Sequence, residues 1–330
     1  MSKRSDSGLD GILLIDKPAG WTSHDVVAKA RRITGQRRIG HTGTLDPMAT
    51  GLLVLCLGQA TRLVEYLTGH DKRYTGTIAL GRTTTTDDAE GATVEESTVP
   101  RMDKGILDDH LKAFRGPILQ KPPVFSALKI AGRRAYDLAR SGEAPELAAR
   151  RVTVHGLDAA IAGPGTVAID VSCSSGTYIR SLARDLGQSL GCGGHLSALR
   201  RHRVGPFSLE GAVTLERLEA AAADGALDEL LLPTDDGISV IDAAILGAEG
   251  VDAVAHGVAW QAPGGTIRAA DPVRIYGTLG EFVGIGSVSD TGEIRPRKVF
   301  LSANSRKSSP YVVSRLTSTL DMPASGSDHA

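Results

Sequence analysis

Short strand-like segments alternate irregularly with helical ones over most of the chain, and this pattern constrains the fold most. Residues 11–15 and 52–57 are continuous apolar runs typical of buried strands. Residues 73–80 alternate with period two. The sequence predicts a helix that begins at Thr22 or Ser23 and runs to Ile33, and further helices over residues 106–114, 135–140, 178–190 and, in an acidic alanine-rich segment, 214–231. Because no steady strand–helix–strand period is present, the sequence predicts an α+β fold with a largely antiparallel mixed sheet.

The composition changes after Pro206. Residues 1–206 hold 28 Lys or Arg against 21 Asp or Glu, whereas residues 207–290 hold 3 against 14. The positive excess of the first segment favours a polyanionic partner. From about residue 265, short strands are separated by glycine and aspartate, which predicts a small β-barrel-like domain at the C-terminal end.

Residues 40–51, with the sequence GHTGTLDPMATG, form a loop that holds a single carboxylate, Asp46. Glycine permits tight or left-handed backbone, and Pro47 restricts Asp46 toward extended geometry. Neighbouring hydroxyls and backbone amides can keep a carboxylate ionised. An ordinary turn has the same composition, so composition alone leaves two interpretations open, a plain turn and a carboxylate held in place for chemistry.

The order of these residues is more specific than their composition. GHTGTLDPMATGLL resembles the catalytic loop of the TruB family of tRNA pseudouridine synthases. The resemblance implies that the chain converts uridine to pseudouridine at position 55 of tRNA, in the T-loop, after flipping the base out of its stack. It makes Asp46 the nucleophile of a covalent intermediate.

A second motif, Asp71-Lys72-Arg73-Tyr74, begins the alternating strand. Strand alternation puts Lys72 and Tyr74 on one face. The resemblance places Tyr74 over the target base, where it can act on the C5 proton. Lys72 and Arg73 are expected to contact the RNA.

A third motif, SGTYIRSL, resembles the family's K-G-T-Y-I-R signature. In the family the arginine pairs with the catalytic aspartate, so Arg180 would keep Asp46 ionised and oriented, a task that suits the bidentate fork of arginine. Tyr178 would pack against the inserted base or sugar. Ser175 stands where many relatives carry lysine, which leaves the inferred chemistry unchanged.

The segment GGHLSALRRHR, residues 193–203, contains five potential cations and no acid. Such a segment suits phosphates, although short basic runs are often only solvated. The resemblance makes Leu199 an apolar wall of the uracil pocket. Arg200 and Arg201 are predicted to bind RNA.

Further motifs supply four more candidate residues. Lys129 and Arg133 lie in a block similar to the family's P-x-x-S-A-(V/L)-K-x-x-G-x-x-x-Y and are predicted phosphate contacts. Asp88, in GRTTTTDDAEG, matches a family carboxylate that supports the basic residues of the site, while Thr84 replaces another. His41 is expected to take the place of the flipped base in the RNA loop.

The resemblance covers roughly residues 11–235 and, more weakly, residues 236–302. It implies a catalytic domain over the first range and a small PUA-like RNA-binding domain over the second. Residues 1–10 are predicted to form an N-terminal tail. Residues 303–330, rich in Ser, Thr, Pro and Ala, are expected to be disordered.

We expect neither a cofactor nor a metal. The three cysteines lack metal-ligand spacing, and the nine histidines form no paired zinc motif. No apolar run reaches the length of a membrane span, and the N-terminus shows no signal-peptide pattern. The sequence therefore predicts a cytoplasmic protein, active as a monomer, whose partner is tRNA.

Two other functions are compatible with the same residues. A glycoside hydrolase could use Asp46 and Asp88 as its two carboxylates, but it would need an aromatic-lined sugar site. An aromatic content of only 4% opposes that interpretation. A non-catalytic RNA-binding or chaperone module would share the basic surface and form no product.

Overall fold

The structure is a computed structural model that describes residues 7–126, 129–130, 133–134, 147–261 and 268–300. The helix predicted at 135–140 and the tail at 303–330 lie outside the described residues. The described chain forms two main sheets, of ten and five strands, and two short hairpins. The helices pack on the sheets.

The strands, in chain order, are β1 (Gly11–Lys17), β2 (Ile39–His41), β3 (Thr50–Leu57), β4 (Lys72–Leu80), β5 (Arg82–Thr84), β6 (Thr93–Glu96), β7 (Gly116–Gln120), β8 (Lys129–Ile130), β9 (Arg133–Arg134), β10 (Arg150–Gly163), β11 (Thr166–Cys173), β12 (Gly194–Val204), β13 (Phe207–Ser208), β14 (Leu231–Leu232), β15 (Ala243–Leu246), β16 (Trp260–Gln261), β17 (Ala270–Gly277), β18 (Phe282–Val288) and β19 (Glu293–Val299). The α-helices are α1 (Ser23–Thr34), α2 (Val64–Thr68), α3 (Lys104–Leu111), α4 (Ile179–Ser189), α5 (Leu215–Ala223) and α6 (Ala248–Ala255). Short 3-10 helices span Gly58–Leu63, Lys112–Phe114, Leu209–Gly211, Leu227–Leu230 and Asp236–Ile238.

The larger sheet has the strand order β14-β1-β3-β12-β4-β11-β10-β7, with β2 and β13 at its side. Its neighbours pair antiparallel except β3 and β12, which run parallel. The smaller sheet has the order β15-β17-β18-β19-β16. The predicted α+β class, with a largely antiparallel mixed sheet and a small C-terminal β unit, is confirmed.

Helix α1 forms where the sequence predicts it. Thr22 and Asp25 make a capping box at its start, and Gly35, with φ of 67°, ends it in the left-handed region. Val26 and Ala30, one turn apart, are both fully buried and pack against the sheet. The helix thereby covers β1 and β3, the strands that flank the Asp46 loop.

The basic segment 193–203 is the main element that the motif analysis did not assign to a strand. It forms β12, at the centre of the larger sheet between β3 and β4. Register shifts at Leu196/Ala198 and Arg201/Arg203 interrupt the alternation of its side chains. Those bulges hide the period-two signal that would identify a strand.

The acidic helix predicted over residues 214–231 is shorter than expected. Helix α5 ends at Ala223, and Gly225 follows with φ of 71°. The prediction was wrong beyond that point because a residue in the left-handed region ends the helical hydrogen bonding. A separate 3-10 turn, Leu227–Leu230, continues the chain.

The two sheets share a hydrophobic core. Tyr276 and Phe282 of the smaller sheet cluster with Leu52 and Val54 of β3. Arg62 donates a hydrogen bond of 2.6 Å to the carbonyl oxygen of Val299 across the same junction. In the described part of the chain, no helix is both long and apolar enough to cross a membrane.

Candidate active site

A cavity of about 590 Å³ opens beside the Asp46 loop, where β4, β12 and the start of α4 come together. Seven of the residues singled out in the sequence line it: Asp46, Lys72, Tyr74, Tyr178, Leu199, Arg201 and Arg180. They come from segments up to 155 residues apart in the chain, between Asp46 and Arg201. The fold therefore gathers the separate motifs into one site.

The loop holds Asp46 by backbone contacts on both sides. Leu45 is locked to Ser23 of α1, whose hydroxyl accepts from the Leu45 amide at 2.8 Å and donates to its carbonyl at 3.1 Å. The carbonyl of Asp46 accepts from the Ala49 amide at 3.1 Å. The carboxylate is one-third exposed, at the cavity wall. It is thus fixed in place and accessible to a substrate.

Arg180, on α4, contacts both oxygens of the Asp46 carboxylate. Its Nη2 donates to Oδ1 at 3.1 Å, and its Nε lies 2.9 Å from Oδ2. The arginine is only 5% exposed. A guanidinium held side-on to a carboxylate favours its ionised form and restricts its rotation.

The same guanidinium has three further partners. It donates to the carbonyl oxygens of Thr86 at 2.8 Å and Phe125 at 2.9 Å. Its Nη1 also lies 3.5 Å from Oδ2 of Asp88. Arg180 therefore joins three loops around the nucleophile candidate.

Asp88 faces inward and supports this arrangement. It is 3% exposed and accepts from the Thr86 hydroxyl at 2.5 Å and from the Glu90 amide at 3.1 Å. A substrate cannot reach so deeply buried a carboxylate. The geometry does not favour the glycoside hydrolase alternative, in which Asp88 would act directly on a sugar.

Thr84 takes part in the same loop even though it carries no charge. Its hydroxyl donates to the carbonyl oxygen of Asp88 at 2.6 Å. The neighbouring Asp87 pairs with Arg184 of α4 at 2.8 Å. The two acidic residues thus each bind a different arginine of the same helix, Asp88 with Arg180 and Asp87 with Arg184.

Tyr74 lies on β4 with its ring against the cavity and is 7% exposed. Burial raises the pKa of its phenol, and the nearby Arg201 guanidinium opposes that rise. Lys72, on the same face, donates from Nζ to the carbonyl oxygens of Thr68 and His70 at 3.1 and 2.6 Å. Burial lowers the pKa of Lys72 to about 8.

Tyr178 and Leu199 also line the cavity. The side-chain carboxamide of Gln120 holds the Tyr178 backbone, because its Oε1 accepts from the Tyr178 amide at 2.8 Å and its Nε2 donates to the Tyr178 carbonyl oxygen at 3.0 Å. Leu199 is 8% exposed and adds an apolar surface. The cavity therefore combines aromatic and apolar walls with charged groups at one end.

Two predicted RNA contacts point away from the cavity. Arg73 lies on the opposite face of β4 from Tyr74 and pairs side-on with Asp170, at 3.0 and 2.8 Å. Arg200 pairs with Asp16 at 2.7 Å and is 40% exposed. Neither lines the cavity, and both side chains are exposed to solvent.

His41 lies at the end of β2, next to the cavity-lining residue Thr42. Its ring meets the His24 ring edge to face at 5.6 Å. Burial lowers the pKa of His41 to about 4, which keeps the ring neutral near pH 7. The side chains of Lys129 and Arg133, the predicted phosphate contacts of β8 and β9, lie outside the described residues.

Lys17 supports the Asp46 loop and is not among the residues predicted from the sequence. It is fully buried at the end of β1, and its Nζ donates to the carbonyl oxygens of Pro18, Trp21 and Pro47 at 2.9, 2.6 and 3.1 Å. Burial lowers its pKa to about 8. The sequence carries no signal for this burial, because the three acceptors are backbone carbonyls, which every residue has. Its ammonium group ties β1 to the residue that follows Asp46.

Replacing Lys17 by methionine is expected to lower the free energy of unfolding by about 1–3 kcal/mol, because three buried carbonyl oxygens lose their donor. Denaturant unfolding followed by circular dichroism measures this change. Lys29→Met is the matched control, since Lys29 forms a surface pair with Glu219 and should cost less than about 1 kcal/mol. Equal unfolding midpoints for the two variants would show that the three carbonyl contacts of Lys17 do not stabilise the fold.

Comparison with known proteins shows that three related family models match most of the chain, from residue 31 to residue 300. Residues 31–179 match the family model described as TruB family pseudouridylate synthase, N-terminal domain. Residues 180–239 match the tRNA pseudouridylate synthase B C-terminal domain, and residues 244–300 match pseudouridine synthase II TruB, C-terminal.

Curated relatives and solved structures agree with those matches. The chain is 54% identical over 219 residues to tRNA pseudouridine synthase B of Thermobifida fusca, covering 64% of this chain and 75% of that protein. It is 44% identical to the protein of the same name from Pseudomonas aeruginosa, covering 91% of this chain and 99% of the other. A chain from an H/ACA RNP bound to a substrate RNA containing 2'-deoxyuridine superposes with a TM-score of 0.68 at 25% identity, covering 89% of this chain and 86% of that one. A chain from a Cbf5-Nop10-Gar1 complex gives the same score at 28% identity, covering 88% and 85%.

Proposed function

Because the chain belongs to the TruB family of pseudouridylate synthases, an enzyme family, we propose that it isomerises the T-loop uridine at position 55 of tRNA to pseudouridine. The observation that carries this proposal is the pairing of Asp46 with the buried Arg180, at 2.9 and 3.1 Å, on the wall of a cavity large enough for a nucleotide. Asp46 is the nucleophile in this proposal, and Arg180 keeps it ionised and aimed.

The shape of the cavity supports a flipped nucleotide as substrate. A base inside a stacked RNA loop cannot reach Asp46, so it must swing out, at a cost of a few kcal/mol. Tyr74, Tyr178 and Leu199 offer flat and apolar surfaces that compensate for the lost stacking. His41, neutral and at the edge of the site, is placed to fill the gap that the base leaves in the loop.

The reaction needs only groups that the cavity supplies. Asp46 forms a covalent bond to the nucleotide, the bond between N1 and the ribose breaks, and the base turns so that C5 faces the ribose. A bond then forms between C5 and the ribose C1′, the bond to Asp46 breaks so that its carboxylate is released, and N1 takes up a proton from water. Tyr74 is the group that receives the C5 proton, which restores the aromatic character of the base.

The surface around the cavity is proposed to bind phosphates of the tRNA. Arg200 lies outside the cavity, next in the chain to the cavity-lining residue Leu199, and is partly exposed. Arg200→Ala should weaken tRNA binding several-fold and reduce the slope of log K against log salt by about 1, as expected for one lost phosphate contact. Titrations over a range of salt concentrations measure both quantities.

The control for that prediction is Arg217→Ala. Arg217 is exposed on α5, within the acidic segment of the chain. Its removal takes away the same charge from a surface that should not meet RNA, so the salt slope should stay unchanged. Equal slopes for wild type and Arg200→Ala would remove Arg200 from the RNA surface.

The proposed function is tested on an unmodified tRNA transcript incubated with the purified protein. Chemical tagging of pseudouridine followed by primer extension locates any product, and the isomerisation leaves the mass unchanged. A new stop at position 55, absent from a transcript with cytidine at that position, is the expected result. Binding without any tagged product would favour the RNA-binding alternative instead.

A further inference from the structure

Arg201 is the largest fully buried side chain of the described residues, at 1% exposure. Its Nε donates to the carbonyl oxygen of Leu52 at 2.7 Å, its Nη2 to that of Gly43 at 3.1 Å and its Nη1 to that of Thr44 at 3.4 Å. No carboxylate among the described residues forms an ion pair with it. A buried guanidinium without a carboxylate partner is costly, so its placement needs a reason.

The three acceptors lie at both ends of the loop that carries Asp46. Gly43 and Thr44 come just before the nucleophile candidate, and Leu52 comes after it. One planar group therefore fixes the entrance and the exit of this loop. Gly51 permits the approach, because its φ is 98° and a Cβ there would lie 2.3 Å from the Arg201 carbonyl oxygen.

Arg201 also faces the other reacting group. It is the direct cross-strand partner of Tyr74 in the β12–β4 pair, so both side chains project toward the same cavity. The guanidinium favours negative charge on the Tyr74 oxygen and so acts against the rise in pKa that burial causes. The same side chain thus contacts the loop of the nucleophile candidate and the phenol.

We propose that Arg201 is a positioning residue that holds the Tyr74 hydroxyl in register with Asp46, so that the C5 proton is removed efficiently. The proposal rests on the function proposed above and deepens it. In the step concerned, the C5–H bond breaks and its electron pair restores the C5–C6 double bond of uracil, while the electron pair of the C6–N1 double bond returns to N1, which takes a proton from water. The C5 proton reaches water through the Tyr74 oxygen.

The geometry separates this role from a contact with RNA. A phosphate contact needs free donors at the surface, whereas the donors of Arg201 are directed to three backbone carbonyls. Lysine would keep the charge but could not reach acceptors in three directions from one planar group. Arg201→Lys therefore tests geometry rather than charge.

The test compares the wild type with Arg201→Lys on tRNA transcripts that carry either uridine or 5-deuterouridine. We expect kcat to fall by about 10- to 100-fold, the scale of a small misplacement of reacting groups, while KM changes less than about twofold. Removal of the C5 proton should become rate-limiting, so the deuterium isotope effect on kcat should rise above that of the wild type.

A double-mutant cycle identifies the partner. In a Tyr74→Phe background the phenol oxygen is absent, so Arg201→Lys should cost much less than it does in the wild type. Fully additive losses would overturn the link between the two residues. Arg201→Gln, which keeps an amide donor, is made alongside in case the lysine variant does not fold, and the same isotope signature is expected.

Arg274→Lys is the matched structural control. Arg274 is also buried, at 7% exposure, and donates to the carbonyls of Ile241 and Ser239 and to the Tyr276 hydroxyl. Neither Arg274 nor these partners line the cavity. It should lower the melting temperature and leave kcat and the isotope effect of the folded enzyme unchanged.

The outcomes are distinguishable. If Arg201→Lys behaves like Arg274→Lys, Arg201 is merely structural and the proposal falls. A rise in KM alone would make Arg201 an RNA contact, which also overturns it. If the wild type itself forms no pseudouridine, the proposed function fails, independently of any Arg201 variant.

Discussion

Replacing Asp46 by alanine should abolish pseudouridine formation, with a loss of about 10⁴-fold or more, as expected when the nucleophile of a covalent mechanism is removed. Binding of tRNA should survive, because a cavity that loses the Asp46 carboxylate repels phosphates less. Single-turnover tagging with enzyme in excess measures the chemical step. A gel-shift titration with the same transcript measures binding.

Asp46→Asn makes the test sharper. The amide has nearly the same shape as the carboxylate and can still accept a hydrogen bond from Arg180, but it lacks the charge and the nucleophilic oxygen pair. Asp109→Asn is the surface control and should leave turnover unchanged. Asp109 lies on α3 and forms an exposed pair with Lys112. Full turnover by the asparagine variant of residue 46 would end the nucleophile assignment.

The Asp46–Arg180 pair shows what the sequence could reveal. The two residues lie 134 positions apart, and composition or periodicity could not have joined them. The ordered motifs could, since each resembles a family block whose members meet in space. The buried strands around the loop, β1 and β3, were also evident from their continuous apolar runs.

Arg73 shows a signal that was present but not used. Because strand alternation puts Lys72 and Tyr74 on one face, it also puts Arg73 on the other. The structure agrees, with Arg73 paired to Asp170 on the far side of β4. The two cations of the DKRY motif favoured the prediction that both Lys72 and Arg73 contact the RNA. The period of a strand instead puts Arg73 on the face opposite Lys72 and Tyr74.

Arg201 and Lys17 show what the sequence could not reveal. Each is a cation that a reader of the sequence expects at the surface, yet each is buried among backbone carbonyls. Carbonyl acceptors carry no sequence signal, since every residue has one. The bulges of β12 further obscured which of its arginines faces inward.

Arg180 has a partner that the motifs predicted, Asp46, and backbone partners that they did not, the carbonyls of Thr86 and Phe125. Its loss is expected to have two large effects. Arg180→Met should reduce kcat by about 10²-fold or more, because Asp46 loses the group that orients it. It should also lower the free energy of unfolding by about 3–5 kcal/mol, because Asp88 is left buried beside no positive charge. Steady-state kinetics and denaturant unfolding measure the two effects on the same preparation.

A second substitution can separate these effects. In Arg180→Met/Asp88→Asn the buried charge is gone, so most of the lost stability should return, while Asp46 still lacks its guanidinium and kcat should stay low. Asp88→Asn alone keeps the contacts of Arg180 with Asp46, Thr86 and Phe125, so it should lose far less activity than either Arg180 variant. Recovery of kcat together with stability in the double variant would mean that Arg180 acts only as a structural tie between loops, and that Asp46 needs no partner to be aimed at the nucleotide.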